Sequence, residues 1–118
     1  MAHYVDGFVI PLPKKNLEDY RRGAQKAGKI WRDHGAIEFR ECVGDDLNIK
    51  MGKPFPRGIK TKPGETVLFS IVFKSRAHRD SVNAKVMKDP RLAKLVSKPM
   101  PFDVKRMLYG GFKTIVEA

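Results

Sequence analysis

Cysteine is almost missing from this chain: Cys42 stands alone among 118 residues. No intramolecular disulfide can form, and nothing points to an oxidising compartment. Long apolar runs are also lacking. The longest, VLFSIVF at 67–73, is far too short to cross a bilayer. The opening MAHYVDGF has no basic start followed by an apolar stretch and a cleavage site, so no secretion signal is expected and the reading is cytoplasmic. His3, His34, His78 and Cys42 show no metal-ligand spacing, so no metal site is expected. Acidic residues are scarce, 13 against 24 basic ones, and the net charge is +11. That surplus attracts polyanions, and without a base-reading motif it predicts only weak, salt-sensitive, sequence-indifferent association with nucleic acid.

What is present fits one globular unit. Apolar content of 42% and charged content of 31% are ordinary. The length suits a single domain, residues 1–118, able to bury a core without metals or disulfides.

Residues 3–12 read as a strand closed by Pro11 and Pro13. Asn16 is placed to cap a helix, with Glu18 and Asp19 in its first turn. Leu17, Tyr20, Ala24, Ala27, Trp31 and His34 then recur at spacings of three and four, one helical stripe, and Gly35 is a natural stop. Residues 36–44 alternate as a second strand. A proline- and glycine-rich loop follows to Glu65, then a third strand at 66–74. Ser75 is expected to cap a second helix to about Lys88, and Asp89 with Pro90 to restart a helical turn. The fourth strand is MLYGGFKTIVE, 107–117. The order β-α-β-β-α-β is that of an α+β, ferredoxin-like sandwich, with the first and third strands central and both helices on one face.

Side chains alternate across strands, which sorts them into two sets. Val5, Val9, Ile37, Phe39, Val43, Val67, Phe69, Ile71, Phe73, Leu108, Phe112 and Val116 form an apolar set, expected under the helices. Tyr4, Asp6, Phe8, Glu38, Arg40, Cys42, Leu68, Ser70, Val72, Tyr109, Gly111 and Lys113 form a mixed set, expected to be covered by a partner with a cavity left between. Phe8, Tyr4, Leu68, Val72 and Tyr109 would make a bare patch rarely tolerated on a monomer, so a homodimer is expected. The adjacent Gly110 and Gly111 interrupt a strand. Close backbone approach or a bulge explains them better than a phosphate loop, which would need a helix N-terminus to follow.

The segments YVDGFV (4–9), HGAIEFRECVGDD (34–46), SRAHRDSVNAKVMKDPR (75–91) and MPFDVKRMLYGGF (100–112) resemble the YbaA-like family of small bacterial proteins of unknown function. The resemblance runs along essentially the whole chain. It implies a dimeric α+β barrel, in which two ferredoxin-like domains pack sheet against sheet. That superfamily includes cofactor-free monooxygenases, haem-degrading enzymes, small isomerases and ligand-sensing modules. The resemblance implies no particular activity and no catalytic residue.

The candidate ligand-binding residues are therefore Tyr4, Asp6, Phe8, Arg40, Ser70, Tyr109 and Gly111. An unpaired Asp6 carboxylate on a covered face would be costly, so pairing is expected, with Lys113 as one partner. Arg40 could anchor an anionic ligand, against an ordinary role at the dimer interface. Cys42 reads as a small apolar filler and His34 as a helix-end residue. Haem would require a histidine presented to the cavity, and none of the three is a candidate. No cofactor is expected. The loop 50–65 carries five basic residues and one acid, with only Phe55 to stack on a base.

Two classes of function stay open. One is a homodimer binding a small molecule between the sheets, whose enzymatic form would be cofactor-free oxygenase or isomerase-like chemistry, by proton transfer or oxygenation using Asp6, Tyr109 or Arg40. The alternative is a basic interaction protein that holds nucleic acid or another polyanion non-specifically. A closed pocket favours the first, and aromatics stacked beside the basic loop the second.

Overall fold

A computed structural model of the chain describes residues 3–75 and 77–118. Four strands, β1 (His3–Pro13), β2 (Glu38–Val43), β3 (Glu65–Ser75) and β4 (Leu108–Lys113), form one antiparallel sheet in the order β2-β3-β1-β4. The first and third strands are central, as the element order implies. Helix α1 (Leu17–Asp33) follows β1, and the pair α3 (Arg79–Met87) and α4 (Pro90–Val96) follows β3. Between β2 and β3 a short helix, α2 (Phe55–Ile59), interrupts the loop that sequence alone left without a helix. Among the described residues no helix is long and apolar enough to cross a membrane.

Prolines do not close β1, which runs on to Pro13. β4 pairs only with Tyr4–Val9, so at Pro11 the strand has β3 alone as a neighbour. It is an edge there, where the missing N–H can be tolerated. Asn16 precedes α1 but makes no side-chain cap; its amide instead donates to the Pro101 carbonyl at 2.8 Å. Ser75 ends β3, and α3 begins three residues later than expected, after His78. Asp89 and Pro90 behave as read: the Asp89 carboxylate accepts from the Arg91 N–H at 2.8 Å, and Pro90 takes the first helical position. Gly35, at φ +108°, ends α1 in a conformation that favours glycine. Beside it, His34 Nε2 meets Asp89 Oδ2 at 2.7 Å, tying the end of α1 to the start of α4. Arg106 holds the β2–β3 excursion, donating to Glu65 at 2.7 Å and to the Lys60 carbonyl at 3.0 Å. That guanidinium pulls the Glu65 carboxyl down to about 2.

The two faces of the sheet are the main correction. In β1, β3 and β4 it is the mixed set, not the apolar one, that lies under the helices. Asp6 bonds to Arg79 of α3, and Lys74 lies against Trp31 of α1. The apolar set of these strands is on the open face, where Phe69, Leu108 and Phe112 are exposed. β2 alone keeps its expected sides, because its register sets Phe39 opposite Val72 and Cys42 opposite Phe69. The last expected strand residues, including Val116, lie beyond β4 and are exposed.

The core joins α1 to the α3–α4 pair through Ile30, Val82 and Val86, with Trp31 and Leu92 against them. α1 approaches β2 closely at Gly28, where a Cβ would lie 2.7 Å from the Phe39 ring. Gly28→Ala would gain about 1 kcal/mol of helix propensity but overpack this contact at a cost of about 1–3 kcal/mol. It should therefore lower the urea midpoint. At Gly23 a Cβ would meet nothing within 4 Å, so Gly23→Ala should raise it by about 1 kcal/mol of stability. Equal shifts in both variants would refute the close-packing account.

Candidate functional site

The stripe that α1 turns to the sheet contains Gly23, Ala24 and Ala27, side chains too small to fill the space above β1 and β3. A cavity of about 560 Å³ remains between the sheet, α1, α4 and the segment 98–102. Rings of Phe8, Tyr20, Trp31, Phe39 and Phe102 contribute to its walls, with Ile10, Val72 and Leu92.

Two of the described carboxyls border this space, the exposed Asp19 at its edge and the less exposed Glu41. Glu41, from edge strand β2, accepts hydrogen bonds from the Tyr20 hydroxyl at 2.9 Å and the Ser70 hydroxyl at 3.0 Å. Three elements thus converge on it: α1, β2 and β3. Burial raises the Glu41 carboxyl above the usual carboxylate range, and its two hydroxyl donors only partly oppose this. Burial, and then the Glu41 charge, push the Tyr20 hydroxyl upward as well. Each carboxylate oxygen keeps a lone pair after its one protein donor, so Glu41 can take a further proton or hydrogen bond from a molecule in the cavity. A smaller hollow between α1 and β2 also reaches Glu41 and Phe39, edged by Arg21, Lys29 and Arg32.

A second polar cluster borders the cavity without lining it. Asp6 and Lys74 are both almost completely inaccessible, at 1% and 0% exposure, and pair directly. Arg79 donates to the other Asp6 oxygen at 3.1 Å. The Lys74 ammonium lies 4.7 Å from the centre of the Trp31 ring, and the Arg79 guanidinium 5.0 Å from that of Tyr4. Burial pulls the Lys74 ammonium below its ordinary pKa, with Asp6 opposing. Two cations answer this carboxylate, and its geometry is that of an internal brace.

The seven residues singled out from sequence are therefore dispersed. Phe8 and Ser70 line the cavity. Asp6 is in the brace, paired with Lys74 and Arg79 where Lys113 was expected; Lys113 pairs in register with Tyr4 and is exposed. Tyr109 stacks on Phe8 with ring centres 4.6 Å apart. Arg40 is on the opposite face, beside Glu38 at the sheet edge. Gly111 makes room for Tyr4: a Cβ there would lie 2.4 Å from the Tyr4 hydroxyl. Gly110 pairs with Gly7 on the open face, and a Cβ on either would touch the Phe112 ring, at 3.7 and 3.5 Å. Close approach therefore accounts for Gly111, while Gly110, expected under a helix, is on the open face where a Cβ would make only ordinary contact. Glu41 and Tyr20 were missed as site residues. The signal for Glu41 was present: it falls between Phe39 and Val43 in the otherwise apolar register of β2.

The order of the sheet and the helices on one side make this a ferredoxin-like α+β protein with a cavity beneath its helices. A solved structure described as a dimeric ferredoxin-like protein, from an uncultured marine organism, superposes over the full length of both chains with a TM-score of 0.60 at 12% identity. The chain belongs to the family described as "Protein of unknown function (DUF1428)", whose model matches residues 3–104. It is 40% identical over 115 residues to the uncharacterized protein YbaA of Escherichia coli K12, covering 97% of each chain, and equally to that of Shigella flexneri.

Proposed function

We propose that this protein is a homodimer that binds a small molecule in the cavity under its helices. The observation that carries the reading is the cavity itself: apolar, aromatic-walled, and reached by the hydrogen-bonded carboxyl of Glu41. Its volume of about 560 Å³ is within the range of small-molecule sites. Apolar walls with a few convergent polar groups are the usual make-up of such sites. The binding place differs from the one expected between two sheets, and the open apolar face is left for the second copy. In an enzymatic form of this reading Glu41 is the proton-transfer group. It would abstract a proton from a bound hydroxyl or an activated carbon, the step that isomerase-like and cofactor-free oxygenase chemistry share.

The test uses N-phenyl-1-naphthylamine, a neutral aromatic fluorophore, with the parent protein and with Ala27→Trp and Ala24→Leu, which build into the cavity. The parent should bind the fluorophore, and both variants should weaken it by about tenfold or more, the equivalent of about 1.4 kcal/mol. Unchanged binding in both variants overturns the reading.

A pH measurement addresses Glu41. Its native pKa lies above the unfolded value of about 4.3. Between those two values the native state binds more protons than the unfolded chain, so folding stability should fall as pH rises through the window. Glu41→Gln should remove that fall while leaving the Tyr20 and Ser70 neighbours in place. The groups facing Glu41 are Tyr20 from α1 and Ser70 from β3, with Arg21, Lys29 and Arg32 of α1 edging the adjoining hollow. Identical pH profiles for the parent and Glu41→Gln would refute the assignment.

A further inference from the structure

The residues around the cavity separate by exposure. Tyr20, Trp31, Phe39 and Phe102 lie within, whereas Asp19, Arg22, Lys26 and Lys98 are exposed and form its charged rim. Three cations therefore face one carboxylate. Arg22 is already matched to Asp19 at 2.6 Å. Among the described residues Lys26 and Lys98 have no carboxylate in ion-pair reach. They come from different elements, Lys26 from α1 and Lys98 from the segment after α4, and both border the cavity. Among the described lining residues the interior holds a hydrogen-bond acceptor at Glu41, and the cations are the exposed ones of the rim. The molecule is thus apolar and aromatic along the walls, acceptor-bearing inside and positive at the mouth.

We infer that the ligand is an aromatic amphiphile with an anionic group: its rings fill the cavity, its acid group stays at the rim against Lys26 and Lys98, and a hydroxyl or amine N–H points inward to Glu41. This rests on the cavity reading and narrows it. The polarity of binding follows from desolvation. An anion placed beside Glu41 would bury two like charges in an apolar space, whereas at the rim it keeps water and gains two ammonium groups. The chain's net charge of +11 favours the encounter at long range.

The closing experiment pairs two probes of nearly the same shape, 1-anilinonaphthalene-8-sulfonate and the neutral N-phenyl-1-naphthylamine, on the full chain. Lys26→Gln with Lys98→Gln should weaken the sulfonate by about fivefold or more, the worth of two partly exposed ion pairs. It should leave the neutral probe within about twofold, and added salt should act in the same selective way. Ala27→Trp should weaken both probes. If the double variant weakens neither probe, or both alike, the anionic class is wrong while the cavity reading stands. Sulfonate binding that survives Ala27→Trp also overturns the inference, since the probe is then elsewhere. If neither probe responds to Ala27→Trp, the cavity reading falls and this inference with it.

Discussion

Asp6→Ala should cost about 3–5 kcal/mol of folding stability, the range for breaking one side of a buried ion pair. Asp6 is paired with Lys74, and both are buried to within 1% of full enclosure. Removing the carboxylate leaves the buried ammonium with the Trp31 ring on one side and the like charge of Arg79 nearby. Lys74 then sheds its proton in the folded state at a lower pH than in the parent. Because the unfolded lysine keeps its proton to about pH 10.4, the unfolded state binds more protons across that interval. The variant's stability should therefore rise with pH toward alkaline conditions more steeply than the parent's. Asp6→Leu combined with Lys74→Met should recover most of the loss, since an apolar pair of similar size needs no desolvated charge. Urea melts across a pH series distinguish the outcomes. A loss under about 1 kcal/mol, or a flat pH response, would mean that the pair is not the brace inferred here.

The same residue illustrates what was legible in sequence. That Asp6 must be paired followed from its position on a central strand, but its partners did not. Lys74 is on the neighbouring strand in the same pleat as Leu68, Ser70 and Val72, yet as the end of a run it reads as a solvated boundary. Arg79 arrives from a helix whose cap, His78, lies three residues beyond the expected one. Strand order and helix placement could be read because they depend on local signals: the spacing from Tyr20 to Trp31, the stop at Gly35, and the Asp89–Pro90 start. The choice of face could not. Both pleats of β1 and β3 carry large apolar side chains, so alternation separates two sets without saying which one the helices cover. Hydrophobicity alone points to the more apolar set as the one beneath the helices. In this fold the helix side instead holds a cavity, a carboxyl and an ion cluster, and the plainer hydrophobic surface is the one without helices. The small stripe of Gly23, Ala24 and Ala27 is the cause, since longer side chains there would close the space that Glu41 enters. The helix α2 was obscured because Pro54, Pro56 and Gly58 resemble loop punctuation, although a proline in a first helical turn is well tolerated.

Ile71→Glu should convert the proposed dimer to a monomer. Ile71 is at the middle of the open face, paired with Gly7 of β1 on one side and Arg40 of β2 on the other. Around it the same face presents Val5, Val9, Phe69, Phe73 and Phe112, of which Phe112 is 61% exposed. An apolar sheet face of this breadth is seldom left to water, and a second copy of the same face is complementary to it in chemistry and in flatness. The Phe112 ring lies over the paired Gly7 and Gly110, within 4 Å of where a Cβ on either would be. A glutamate at position 71 would be solvated in the monomer, whereas in the dimer it would be buried with the cross-strand Arg40, already shared with Glu38, as its counter-charge. The asymmetry is about 3 kcal/mol or more per buried charge, at least about a hundredfold in dissociation constant. Sedimentation at micromolar concentration should show a dimer for the parent and a monomer for Ile71→Glu. Circular dichroism should show the fold retained, because Ile71 is on the face of the sheet away from α1, α3 and α4. A control at the sheet edge, Arg40→Gln, should leave the dimer in place, since that guanidinium is half in water and answered by Glu38. A monomeric parent, or an Ile71→Glu protein that still sediments as a dimer, would remove the second copy from this face.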